Sequence, residues 1–192
     1  MTKLIVVLLG FGSLLSGCAA LPTILPPATD LRGTETQVVV IGKFELVPPL
    51  NPQLEQTTHW NVMGDKRILN RIIMATGATL KPANTDSLLG PDWQGIVDAE
   101  WGVPFRVKAP RQRTYLNGGF VQLDLRSQDK LWFPGGYYFD VPPDAGAIYI
   151  GTLRFTRNEF NRITNVEVID ERKDLESQIN SGVRQSLLKQ AR

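Results

Sequence analysis

Cysteine and histidine are nearly absent: the 192 residues hold one of each, Cys18 and His59. A single thiol cannot close an internal disulfide, so packing alone has to hold the fold. The same scarcity excludes His-rich and Cys-rich metal sites, and a Ser-His-Asp machine would have to use His59. Charge of one sign is not in excess either, since 21 Lys and Arg face 19 Asp and Glu, a net of +2. That balance predicts no bulk attraction to nucleic acid. The longest apolar stretch, Leu4 to Leu15, falls short of the roughly 20 residues a membrane-spanning helix needs. No nucleotide loop, EF-hand or zinc spacing occurs, so no cofactor or metal is expected.

The first feature present is Lys3, followed by that apolar stretch and by Leu15-Ser16-Gly17-Cys18. A positive start, a short apolar run and small residues at a cut site are the parts of a secretory signal. Leu-Ser-Gly-Cys resembles the lipobox of bacterial lipoproteins. The resemblance implies that residues 1–17 form a signal peptide cut just before Cys18. It also implies that the Cys18 sulfur carries a diacylglycerol and that the new amine is acylated. Ala19, standing where an aspartate typically retains such proteins at the inner membrane, implies the outer membrane, on its periplasmic face or at the cell surface. A lone cysteine is otherwise more often a small buried hydrophobe. An ordinary signal cut, however, would leave an unpaired thiol near the new terminus in an oxidising compartment.

Residues 18–35, with Pro22, Pro26 and Pro27, read as a lipidated N-terminus and Pro-rich tether. Residues 36–170 read as strands. Val38-Val39-Val40-Ile41 suits a central strand buried on both faces, and Pro48-Pro49 ends it. Residues 66–75 fit a helix or a strand, and stiff isoleucines favour the strand. Ile96 to Val107 holds further strand signals, and Phe120 to Arg126 alternates apolar and polar residues. Asn117-Gly118-Gly119 reads as a turn, and Pro134-Gly135-Gly136 as the turn of a hairpin between two aromatic triplets. Ala147 to Phe155 is a buried strand with Thr164 to Ile169 as its hairpin partner. Val39 to Leu46 echoes Ile148 to Phe155, with glycine at the same place, as equivalent strands in two sheets, a weak duplication or chance between short strand patterns would each give.

Residues 171–192 read as a helix, because Leu175, Ile179, Val183 and Leu187 recur every four residues. Acidic residues crowd its start and basic residues its end, which complements the helix dipole. Together these signals predict a mainly β chain: an antiparallel β-sandwich of about seven or eight strands with a C-terminal α-helix. That layout resembles small uncharacterised β-sandwich lipoproteins of the Gram-negative envelope.

Candidate functional residues are few. Cys18 is the lipidation site. Arg106, Lys108, Arg111 and Arg113 could bind an anionic partner, or could protect an edge strand from pairing with a neighbour. Trp132, Phe133, Tyr137, Tyr138 and Phe139 form an aromatic cluster, read first as core and second as a surface for sugars. Asp92, Asp98 and Glu100 could be drawn as a glycosidase-like pair, but nothing in the sequence fixes their separation. No catalytic residue is assigned, and an enzyme is not expected. The expected role is a lipid-anchored binding or assembly module at the outer membrane. Its partners would be the membrane itself, through the N-terminal lipid, and an anionic lipid or an envelope protein. The alternatives are an envelope hydrolase acting on glycan or peptide, and a structural spacer.

Overall fold

A computed structural model describes residues 25–26, 30–51, 68–81, 95–123, 130–175 and 182–191. These contain ten strands: β1 (Gln37–Val47), β2 (Arg71–Gly77), β3 (Gly95–Glu100), β4 (Phe105–Pro110), β5 (Thr114–Gln122), β6 (Lys130–Phe139), β7 (Ala147–Arg157), β8 (Ile163–Ile169), β9 (Val183–Gln185) and β10 (Lys189–Gln190). They form two five-stranded sheets, β4-β1-β7-β8 with β9 also on β7, and β10-β6-β5-β2-β3. The chain is mainly β.

The apolar run Val38 to Ile41 dictates the centre of the first sheet. All four side chains are buried, and a strand with two apolar faces has to be covered on both. Inward residues of both sheets, among them Val40, Phe44, Ile150 and Phe155 from one and Ile72, Met74, Leu116 and Phe133 from the other, meet in one core. On the outer face of the first sheet Val39, Ile41, Tyr149 and Val183 form a second, smaller cluster, with Leu25, Leu31 and Leu187 packed on it.

β1 pairs antiparallel with β4 but parallel with β7. The first sheet is therefore mixed, a departure from the expected antiparallel arrangement. The two echoing segments are those parallel neighbours. From Lys43↔Thr152 to Leu46↔Phe155 the residues that match in sequence are also paired across the strands. They do not occupy equivalent places in two sheets. Parallel neighbours in the middle of one sheet share the same inner and outer surroundings, so similar patterns suit both. Gly151 (φ +93°) takes up the one-residue shift between Ile41 and Lys43, a backbone region that glycine enters without strain.

Neither expected glycine turn is a turn. β5 runs straight through Asn117-Gly118-Gly119, and β6 through Pro134-Gly135-Gly136. Their pairing shifts by one residue between Leu116 and Gly118, so Asn117 faces the extra residue of a bulge on β6. Bulges need glycine for the same reason turns do, and sequence alone does not separate them. The buried Asn117 amide then ties down the chain after β2: its Nδ2 donates to Thr79 O, and its Oδ1 accepts from Lys81 N, both at 3.0 Å. Of residues 66–75, those described form a 3-10 turn at Ile68–Asn70 followed by β2. Ile96 to Val107 spans two strands in different sheets, β3 and β4.

The C-terminal helix is replaced, over the described residues, by a 3-10 turn (Arg172–Leu175) and the two short strands β9 and β10. Two features favour this. β8 covers only Thr152 to Arg157 of β7, and β9 supplies a parallel partner for Ala147 to Tyr149. A helix there would leave those backbone groups without a ladder. Leu187 packs on the outer cluster while its neighbour Leu188 enters the main core. An extended chain points adjacent side chains to opposite sides, whereas the helical stripe had no place for Leu188. The tail joins the sheets, since Leu188 N donates to Ile150 O and Ala191 N to Gly136 O.

The described part of the expected tether is docked rather than extended into solvent. Leu25 N donates to Arg106 O at 2.8 Å, and Leu31 lies on the outer cluster. Gly33 passes so near the Gln37 and Gly146 carbonyls that a Cβ would come within 2.5 and 2.8 Å of them.

Candidate functional site

Alternation along β6 divides the aromatic cluster. Phe133, Tyr137 and Phe139 point inward and are buried. Trp132 and Tyr138 point outward and remain partly exposed. Each faces an aromatic residue on β5, because Phe120 pairs with Trp132 and Tyr115 with Tyr138. In both pairs the ring centroids are 5.6 Å apart, within the range where tilted rings attract.

Cations cover these rings. Lys130 Nζ lies 4.9 Å above the Phe120 ring and 5.6 Å from Trp132. The Arg113 guanidinium lies 4.5 Å above Tyr138, with Lys189 Nζ at 5.8 Å. Asp140 sits between the latter two, 2.8 Å from Arg113 Nε and 3.0 Å from Lys189 Nζ. Hydrogen bonds from Arg113 and then Lys189 hold its carboxyl below the usual carboxylate range. Two cations against one carboxylate leave a positive excess beside two partly exposed tyrosines. Such a surface can take an acidic group on the cations and a flat or apolar group on the rings.

The four basic candidates do not form one patch. Arg106 is buried (4% exposed), with its backbone carbonyl accepting from Leu25. Lys108 is exposed on β4. Arg111 Nε donates to Thr34 O and its Nη1 to Pro143 O, so its side chain clasps the start of β1 to the β6–β7 connection. Arg113 belongs to the tyrosine face on the other sheet. Only Arg113 joins the site, in company with Lys189, which no motif singled out.

Asp98 pairs with Arg71 at 2.8 Å, and Glu100 accepts from Asn70 Nδ2 at 2.9 Å. Cys18, His59 and Asp92 lie outside the described residues. Among the described residues no group of three His, Cys, Asp or Glu is placed to hold a metal, and no helix is long and apolar enough to cross a membrane.

One polar cluster carried no sequence signal beyond the alternation Lys43-Phe44-Glu45. Lys43 lies 2.7 Å from Glu45 and 2.5 Å from Glu171, and Arg154 lies 2.8 Å from Glu45. Thr152, fully buried, donates to Glu171 at 2.6 Å, and Glu171 N donates to the Tyr149 hydroxyl. Burial alone would lower Lys43, but hydrogen bonds to Glu171 and Glu45 outweigh it and raise its pKa. The cluster ties the outer face of β1 and β7 to Glu171 in the chain after β8. Scans of protein-family models, curated proteins and solved structures give no match for this chain.

Proposed function

We propose that this chain is a lipid-anchored lipoprotein of the bacterial outer membrane whose β-sandwich works as a binding or assembly module. The anchor reading rests on Leu15-Ser16-Gly17-Cys18, and the sandwich reading on the single core that the two sheets share. The observation that carries the binding role is the Tyr115–Tyr138 pair under Arg113 and Lys189. A tethered domain already has a high local concentration near its partners, so a weak charge-assisted contact suffices. The group bound there is an acidic one, on an envelope protein or an anionic lipid. An envelope hydrolase would draw on Asp98 and Glu100, and Arg71 and Asn70 already engage both carboxylates.

The anchor is tested by intact-mass measurement of the membrane-extracted protein. A mature chain that begins at Cys18 and carries acyl groups supports it, and any other start or an unlipidated product overturns it. The binding face is tested with Arg113→Gln/Lys189→Gln, by salt-dependent retention of lipopolysaccharide and of acidic envelope proteins crosslinked in cells. Loss of retention in the double variant supports the reading, and retention equal to the parent's overturns it.

A further inference from the structure

Among the described residues the exposed hydrophobic side chains are unevenly spread over the two ends of the domain. β1 and β7 run in parallel and finish together, Val47 opposite Thr156. Beside them, on the β4 flank, the turn between β3 and β4 reaches Phe44, where Gly102 N donates to its carbonyl at 2.8 Å. Of the four large hydrophobic residues exposed among the described residues, three lie at this end: Val47 (44%), Val103 (47%) and Phe160 (73%). Pro48 and Pro49 are exposed beside Val47. The opposite end, where β1 and β5 begin, instead exposes Thr34, Glu35, Thr36, Gln112 and Arg113.

The apolar end is held in shape. Arg157 donates from Nε to Pro48 O at 2.9 Å and from Nη2 to Pro49 O at 2.8 Å. The same guanidinium bonds Asn161, so the end of β1 and the tip of the β7–β8 hairpin form one unit. Within the tip, Asn158 Oδ1 accepts from the backbone of Phe160 and of Arg162, both at 3.0 Å. Phe160 is presented to solvent on a fixed loop, not on a slack one. Glu159 and Arg162 are both exposed beside it, and Lys130 lines the shallow cleft that Phe160 shares with Trp132.

The described N-terminal residues lie along the same sheet as β1. Leu25 is bonded at Arg106, which pairs with Ile41, and the chain then runs to Gly33 beside Gly146 and the start of β1. Followed backward, it leaves the polar end. From Ile41 to Val47 a strand covers about 20 Å. The seven residues from Cys18 to Leu25 can span up to about 25 Å.

We propose that Val47, Val103 and Phe160 form the surface on which the domain rests against the bilayer that holds its lipid. The inference depends on the lipoprotein reading above and adds an orientation to it. Contact is apolar, so it is insensitive to salt, unlike the attraction of a basic patch. It turns the Tyr115–Tyr138 face, which lies toward the polar end, away from the lipid and toward an envelope protein.

The experiment uses the full acylated protein in vesicles of phosphatidylethanolamine and phosphatidylglycerol. Once Cys18 is acylated, an added cysteine is the only thiol, so Glu159→Cys and Glu35→Cys can each carry one environment-sensitive fluorophore. The expected result is blue-shifted emission at position 159, quenched by lipids bearing a nitroxide in the acyl chain and unchanged in high salt. Position 35 stays in water. Adding Phe160→Ser and Val103→Ser should return position 159 to water while the protein remains folded by circular dichroism. An acylated protein whose position 159 stays in water, or whose position 35 is quenched instead, overturns the orientation and leaves the anchor standing. Burial of position 159 only in native membranes, not in pure lipid, also overturns it by assigning the surface to a protein. A protein that carries no acyl group by mass overturns the anchor and the orientation together.

Discussion

Gly135 lies against Asn117: a Cβ on the glycine would come within 2.2 Å of the Asn117 carbonyl carbon and 2.4 Å of Gly118 N. Both obstacles are backbone, which cannot swing aside. Gly135→Ala is therefore expected to cost at least the 1–3 kcal/mol typical of overpacking, roughly, or to abolish folding. Gly136 beside it has open space but a φ of +90°. Gly136→Val should cost about 1–2 kcal/mol through the backbone alone. Urea denaturation of the two variants checks the order, and equal effects would contradict the bulge.

The C-terminal strands should matter more than a docked helix would. Leu188 is 6% exposed in the main core, and Val183 of β9, paired with Ala147 of β7, is 2% exposed. Leu188→Ala is expected to lose about 2–5 kcal/mol. Removal of residues 182–192 should abolish cooperative unfolding, because it uncovers the edge of β7 and one side of the core. A truncated chain with the parent's melting transition would show the tail to be peripheral.

Stability should fall at both extremes of pH. Burial would raise Glu45, but hydrogen bonds from Lys43 and Arg154 outweigh it, so its pKa is lowered, as is that of Asp140. A lowered carboxyl contributes fully above its unfolded value of about 4 and loses that contribution as pH falls through the folded one. Lys43 is raised, so its contribution is full below about 10.4 and is lost as pH rises through the folded value. Denaturation midpoints measured across pH should show Asp140→Asn softening the acid limb alone. Lys43→Met should soften the alkaline one without removing it, because burial also raises the Tyr137 and Tyr149 hydroxyls. An acid limb unchanged in Asp140→Asn would contradict the assignment.

Arg111 and Arg113 should part company. Arg111→Gln loses two bonds to backbone carbonyls, Thr34 O and Pro143 O, and should destabilise by about 1–3 kcal/mol. Arg113→Gln, half exposed in its pair with Asp140, should leave stability almost unchanged, because solvent screens that pair. Thermal melts of the single variants decide it. The reverse order would return Arg111 to the surface.

The strands that were legible in the sequence were those with two apolar faces. Val38 to Ile41 and Ala147 to Phe155 have no other place to go than the middle of a sheet, and the structure has them there side by side. Glycine-rich stretches were misread because Gly118, Gly135 and Gly136 serve bulges, and glycine marks an unusual backbone without saying which. The tail was misread because Leu175, Ile179, Val183 and Leu187 fit a helical period, while the free length of β7 is a tertiary fact. At the candidate site, Arg113 and Tyr138 were visible as residue types. Their neighbours Tyr115, Asp140 and Lys189 come together only by strand pairing, which single-segment patterns do not encode.

The parallel pairing of β1 with β7 bears on how quickly the chain can fold. Glu45 and Arg154, joined across that pair, stand 109 residues apart. Until the later strand exists, the first has β4 on one side and nothing on the other, and β9 completes β7 only near the chain's end. Contacts of such sequence separation place folding toward the slow, milliseconds-to-seconds end of the range for small domains. An emerging N-terminal half therefore lacks the means to fold early, and the finished domain forms only after nearly the whole chain has arrived.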